Sequence, residues 1–265
     1  HYGTVAAVED AFAQVVSTVD GPRIGCIDDP GVRRLAQRVE LTTYGLADAA
    51  DWRVAGVHHD SGGVGFTLLT PDGEVPVSLP KPGTHLALNA AGVLAMLGES
   101  GFDVTHAAEA LSSFSGVRRR FEVRSVAGGV TVIDDYAHHP TEVAATIAAA
   151  KQGSNGAVVA VFQPHRYSRT ADLAPEFGQP LAIADRVIVT DVYSAGEQPM
   201  IGVSGRLVAQ AAEAAGGSCT YVPRLDDVPA HVAATAAPGD TVLLLGAGDI
   251  TAIAPDVAIA IEGVS

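Results

Sequence analysis

Apolar positions along the chain follow two rhythms, and the change between them falls near the middle. Residues 5–16 space their apolar side chains for one face of a helix, and Asp29-Pro30-Gly31 reads as the start of a second helix over 32–39. From Trp52 to Leu79 the period shortens to that of strands. Val54, Val57, Val64, Phe66, Leu68, Val75, Val77 and Leu79 are punctuated by Ser61-Gly62-Gly63 and Pro71-Asp72-Gly73, two hairpin-type turns. Helices are then predicted over 86–97 and 104–111, the second capped by Asp103.

After Phe114-Ser115-Gly116 the second rhythm begins. Four runs, 130–133, 157–162, 186–190 and 241–245, are continuously apolar, as strands covered on both faces are. Helical patterns over 141–150, 173–183, 205–214 and 228–236 separate them. Such alternation predicts an α/β fold with a mostly parallel sheet and right-handed crossovers, and a domain boundary that leaves 1–116 and 117–265 on either side.

Ligands of open parallel sheets bind beyond the carboxyl ends of the strands, and here those ends carry a dense load of polar chemistry. The first gives Asp134-Asp135-Tyr136-Ala137-His138-His139-Pro140, and the second Gln163-Pro164-His165-Arg166-Tyr167-Ser168-Arg169. The third and fourth give Asp191-Val192-Tyr193 and Gly246-Ala247-Gly248-Asp249. Asp, His, Arg and Tyr side chains arriving together on one edge predict a common site.

Charge changes the picture further. The chain carries a formal −14, which excludes a binder that needs a basic footprint over its whole surface, as nucleic acids and anionic membranes do. Residues 118–169 nevertheless hold seven basic side chains against four acidic ones, so a positive window sits on an acidic protein. Arg dominates that window, and its planar fork suits phosphate or carboxylate. A solvated basic linker accounts equally well for Arg118–Arg120 taken alone. Cys26 and Cys219 are too few for a disulfide framework and favour a reducing cytoplasm. No apolar run reaches membrane-spanning length. A metal-dependent hydrolase on Asp134, Asp135, His138 and His139 is a weak alternative, since adjacent His residues are awkward ligands for one ion. No Gly-Lys pair exists, so the phosphate-binding loop of P-loop enzymes is missing. Residue 1 is His, which leaves open a processed start or an absent upstream portion.

These motifs, with Gly116-Val117-Arg118-Arg119-Arg120-Phe121-Glu122 before them and Phe162 to Thr170 among them, resemble the Mur ligases. The last run resembles most the branch that joins L-alanine to UDP-N-acetylmuramate. The resemblance implies part of the family's central ATPase domain in 1–116 and a Rossmann-like, amino-acid-binding C-terminal domain in 117–265. It implies an ATP-dependent acid–amino-acid ligase of peptidoglycan synthesis, acting through an acyl phosphate on small-molecule partners: UDP-N-acetylmuramate, L-alanine and ATP. It also implies that the P-loop and the ligands of Mg2+ lie upstream of His1, with no metal site in this chain, and that the chain alone is inactive. By the same resemblance Arg119 and Arg120 approach the ATP phosphates, Asp135 the ribose and Asn89 the adenine. Leu86 stands where many relatives carry a second Asn. Tyr136, His138, His165, Arg166 and Arg169 surround L-alanine, and His138 is the expected base. A non-catalytic nucleotide or amino-acid binding module of the same fold is the alternative.

Overall fold

Strand and helix alternate much as the apolar pattern requires in a computed structural model that describes residues 3–59, 63–114 and 116–263. The chain divides between residues 115 and 116 into two units.

In the first unit, α1 (Val5–Ser17) is capped by the Thr4 hydroxyl and leaves Val5, Phe12 and Val15 exposed. β1 (Ile24–Cys26), β2 (Thr42–Gly45) and β3 (Trp52–His59) are parallel, and β4 (Val64–Thr70) and β5 (Gly73–Leu79) extend the sheet antiparallel in the order β1-β2-β3-β4-β5. The expected turn at 71–73 is present: Thr70 pairs with Gly73, whose φ of 147° suits glycine. Of the other expected turn, Ser61 and Gly62 lie outside the described residues. The helix expected over 32–39 begins earlier and ends sooner, as α2 (Pro30–Leu35). Asp29 takes the amides of Gly31 and Val32, and Pro30 fits the first turn, so the start moves back to the cap. α3 (Thr84–Glu99) lays Ala87, Ala91, Leu94 and Ala95 on Trp52, Phe66 and Leu68 of the sheet, and α4 (Val104–Leu111) follows its Asp103 cap.

The second unit is a six-stranded sheet in the order β10-β9-β8-β11-β7-β6. β7 (Val130–Asp135), β8 (Val158–Phe162), β9 (Arg186–Val189), β10 (Cys219–Tyr221) and β11 (Thr241–Leu245) run parallel, and β6 (Glu122–Ala127) joins β7 antiparallel. Every residue of β8 and β11 is buried, because both faces are covered. Leu243 and Leu245 enter one core with Val143, Ile147 and Leu181, while Val242 and Leu244 enter the other with Ile250 and Val257. The covering helices are α5 (Pro140–Gly153), α6 (Tyr167–Leu173), α7 (Gly178–Leu181), α8 (Gly205–Ala214), α9 (Val228–Ala233) and α10 (Ala254–Glu262). The single helix expected over 173–183 is instead the end of α6, a 3-10 turn over Ala174–Phe177, and α7. Pro175 and Pro180 have no N–H to continue a helical ladder. α9 likewise stops short of 236.

Gly205 is held by space rather than by dihedral. A Cβ there would lie 1.8 Å from the Thr190 carbonyl oxygen, which is backbone and cannot swing aside. Gly205→Ala is expected to destabilise the second unit by roughly 3 kcal/mol, the upper end for overpacking, as read by urea unfolding.

Candidate functional site

Two carboxylates end β7, and because neighbours on a strand face opposite ways they organise opposite sides of the sheet edge. Asp134, fully buried, accepts the Thr251 hydroxyl at 2.6 Å and lies 3.5 Å from Arg119 Nε. Arg119 Nη2 donates to the carbonyls of Gly246 (2.6 Å) and Gly248 (3.2 Å), tying down the loop after β11. Asp135 accepts the amides of Phe121 and Ala137, both at 2.8 Å. Burial pushes its pKa up, against those two amides, Arg120 and the Thr146 hydroxyl.

Asp135 is 3% exposed, and each of its oxygens is engaged by its own chain. The geometry leaves the hydrolase alternative without a ligand set. Asp134 and Asp135 are buried with partners, and His139 caps α5 through the Thr141 amide. Among the described residues no three His, Cys, Asp or Glu side chains gather as a metal set.

The loop after β7 meets the loop after β8 through rings. Tyr136 is edge-on to His138 at 5.3 Å, with the guanidinium carbons of Arg119 and Arg120 at 4.9 and 5.7 Å from its centroid. His138 is edge-on to His165 at 5.8 Å, and His165 stacks on Tyr193 of the loop after β9 at 5.7 Å. His138 Nδ1 is 2.9 Å from the Tyr136 carbonyl oxygen and 3.3 Å from Glu142 Oε2. Both neighbours only accept, so Nδ1 is the ring nitrogen that donates to them and Nε2 points away from that pair. Burial raises the Glu142 pKa, but the His138 amide and ring, Arg120 and the His139 amide outweigh it and hold the carboxyl below the usual range.

Arg166 and Arg169 flank the first turn of α6. Arg166 has φ +71° and an exposed side chain, and its amide donates to the Tyr193 carbonyl at 2.8 Å. Arg169 Nη1 and His165 Nδ1 are buried and bond no group among the described residues. Burial pulls the His165 pKa down, helped by the neighbouring His138, Arg169 and Arg166. A buried donor without a partner is costly, and a cationic cluster with unspent donors is suited to a small anion.

The structure therefore brings together Arg119, Arg120, Tyr136, His138, His165, Arg166 and Arg169 at the carboxyl edge of one sheet. Asn89 belongs to the other unit, where it lies exposed on α3 and lines a cleft of about 550 Å3 with Ile24, Tyr44, Val93 and Met96. Sequence reasoning did not single out Glu142 beside His138 or the stacking of Tyr193. Glu142 had a signal, since Glu three residues after a cap forms a capping box. Tyr193 had none beyond its place after a strand. Both cysteines are free, and burial raises the Cys26 pKa and pushes Cys219 to about 11, so both behave as packing residues.

A parallel sheet covered on both faces, with its polar residues at the carboxyl edge, is the architecture of an α/β ligand-binding domain. Residues 119–248 match the Mur ligase, glutamate ligase domain, and residues 1–97 match the Mur ligase middle domain. The chain belongs to the Mur ligase family. Two UDP-N-acetylmuramate--L-alanine ligases resemble it along nearly its whole length. That of Mycolicibacterium vanbaalenii is 42% identical over 280 residues, covering 98% of this chain and 57% of its own length. That of Mycobacterium sp. strain JLS is 45% identical over 269 residues, covering 97% and 55%. The crystal structure of UDP-N-acetylmuramate-alanine ligase MurC from Thermotoga maritima shares the fold, with TM-score 0.78 and 24% identity over 99% of this chain and 56% of that one. The chain thus spans little more than half the length of the curated relatives it matches.

The two arginines flanking the site differ in what they support. Arg119→Ala strands a buried carboxylate and is expected to cost about 3 kcal/mol of unfolding free energy, whereas Arg166→Ala, at an exposed side chain, should cost under about 0.5 kcal/mol. Paired urea titrations check this.

Proposed function

We propose that, within a ligase of full family length, this chain supplies the amino-acid site and part of the ATP-binding domain for joining L-alanine to UDP-N-acetylmuramate. Residues 117–265 are the amino-acid-binding domain in this reading, and 1–116 belong to the central ATP-binding domain. The observation that carries it is the pair of buried, unpartnered nitrogens on Arg169 and His165, set among further cations at the sheet edge. The likeness to UDP-N-acetylmuramate--L-alanine ligases supports the choice of substrates.

The reaction begins when the muramate carboxylate attacks the γ-phosphorus of ATP, releasing ADP and leaving an acyl phosphate. The alanine nitrogen then attacks the acyl carbon, and the C–O bond to phosphate breaks as the amide forms. Arg166 and Arg169 hold the alanine carboxylate, with Arg169 Nη1 free to donate to it. His138 Nε2 takes the proton that the alanine ammonium must lose before its nitrogen can attack. Glu142 and the Tyr136 carbonyl fix the ring by its other nitrogen, the division of labour found wherever a carboxylate orients a histidine base. Tyr136 walls the site between the arginines and the His138 ring.

Charge accumulates on the phosphates in both steps, and preorganised cations stabilise it. Arg120 is assigned this role, because its side chain is about half exposed and its contacts, a 3.6 Å pairing with Glu142 and the Tyr136 ring, are loose. Arg119 is assigned chiefly to holding the loop after β11, given its contacts to Gly246, Gly248 and Asp134. Asn89 is assigned to the adenine. Mg2+ accompanies ATP in this reading and offsets phosphate charge; its ligands are assigned to residues outside this chain.

In a full-length ligase carrying these residues, Arg166→Ala or Arg169→Ala should raise the KM for L-alanine about tenfold or more, the cost of a charge-assisted hydrogen bond, and leave the KM for ATP within about twofold. Steady-state phosphate release measures both. An unchanged alanine KM removes the pair from the site, and alanine binding without any turnover leaves a binding module.

A further inference from the structure

The α6 turn that bears Arg166 and Arg169 has no cap of its own. Its N-cap residue is Arg166, which offers no side-chain acceptor to the first-turn amides. The acceptor comes from the loop after β9 instead. Glu197 Oε2 receives the Ser168 amide at 3.0 Å and Oε1 receives the Ser168 hydroxyl at 2.7 Å, so one carboxylate holds the residue between the two arginines by both oxygens.

The same loop is fastened just before that contact. Tyr193 donates its amide to Pro164 and accepts the Arg166 amide, pairing the loop with the segment after β8. Glu197 donates its amide to the Ser194 carbonyl, across Ala195 and Gly196, which both have positive φ. From this turn the Glu197 side chain reaches back to α6. Glu197 is also the negative charge among the groups that act on His165, the others being His138, Arg169 and Arg166.

We propose that Glu197 is a positioning residue for the amino-acid site: its two-oxygen grip on Ser168 fixes the α6 turn, and so sets Arg166 and Arg169, while its charge balances the cluster. The inference rests on the reading of that cluster as an amino-acid site. It adds a residue on a third strand-end loop that touches no substrate and works through Ser168. A rigid pair of arginines binds a carboxylate with less ordering to complete than a mobile pair.

Two readouts on the 265-residue chain test it, and neither requires a bound amino acid. The first is amide hydrogen exchange. Glu197→Ala should speed exchange at Ser168 and Arg169 by about tenfold or more, the effect of losing hydrogen bonds to a charged acceptor, with no change in β8 and β11. Glu197→Gln keeps one acceptor oxygen and should restore much of the protection. The second is the His165 ring titration followed by NMR. Glu197→Gln and Glu197→Ala should both move its midpoint to lower pH, since the charge that favours the imidazolium is gone. Ser168→Ala, which removes only the hydroxyl, should leave the midpoint in place. A purely structural contact would not separate Gln from Ser168→Ala in this way. Unchanged exchange at Ser168 in Glu197→Ala overturns the grip, and an unmoved His165 midpoint overturns the charge balance. Failure of the chain to bind L-alanine would count against the amino-acid reading while leaving both results intact.

Discussion

Two ionisable carboxylates at the end of one buried strand are an expensive feature, and much of the site's arrangement follows from how they are satisfied. A carboxylate taken out of water needs hydrogen bonds or a cation in exchange. Asp135 meets the need on one side of the sheet by taking the amides of Phe121 and Ala137, which fixes the chain before β6 and the start of the loop after β7. Asp134 meets it on the other side with Thr251 and Arg119, and Arg119 in turn holds the carbonyls of the loop after β11. The cost is visible in the backbone: Arg119 and Phe121 both sit at positive φ, a region that side chains with a Cβ enter only when the surroundings enforce it. Satisfying the pair draws three separate stretches of the second unit to one edge.

On that edge the strand-end loops lock onto one another. His138, His165 and Tyr193 come from three different loops and form a continuous run of ring contacts, and Arg166 is held at φ +71° by the Tyr193 carbonyl. Arg166 is thus placed by a backbone bond, whereas Arg119 and Arg120 pair with Asp134 and Glu142. That leaves nitrogens on Arg169 and His165 free to meet an anion, which is the arrangement preorganisation demands.

Much of this was legible in the residues. Continuous apolar runs announced β7, β8, β9 and β11 because a strand covered on both faces has no polar side to show, and the loops that follow them carried the chemistry. The three-residue strands β1 and β10 were not legible, being too short for any period to register. Helix ends were misread where a backbone detail decided them: Pro175 and Pro180 break one expected helix into pieces, and Asp29 sets the start of another. Among the site residues, identity was easier to read than allegiance. Asp135 and Arg119 have chemistry that suits a nucleotide, and both also bond within their own chain, a use that composition alone does not reveal. Glu197 shows the converse: it grips Ser168 through a contact that only the folded chain creates, whereas Glu142 carried the local signal of a capping box.

The central claim is that Arg166, Arg169 and His165 form a ready-made pocket for the carboxylate of L-alanine. The most direct measurement is NMR of the arginine Nε–H and histidine ring signals of this chain during titration with L-alanine. The account predicts saturable shifts at Arg166, Arg169 and His165, with Arg119 nearly still because its guanidinium is already engaged. Saturable shifts elsewhere with these three unmoved, or no response to L-alanine at any concentration, would contradict it.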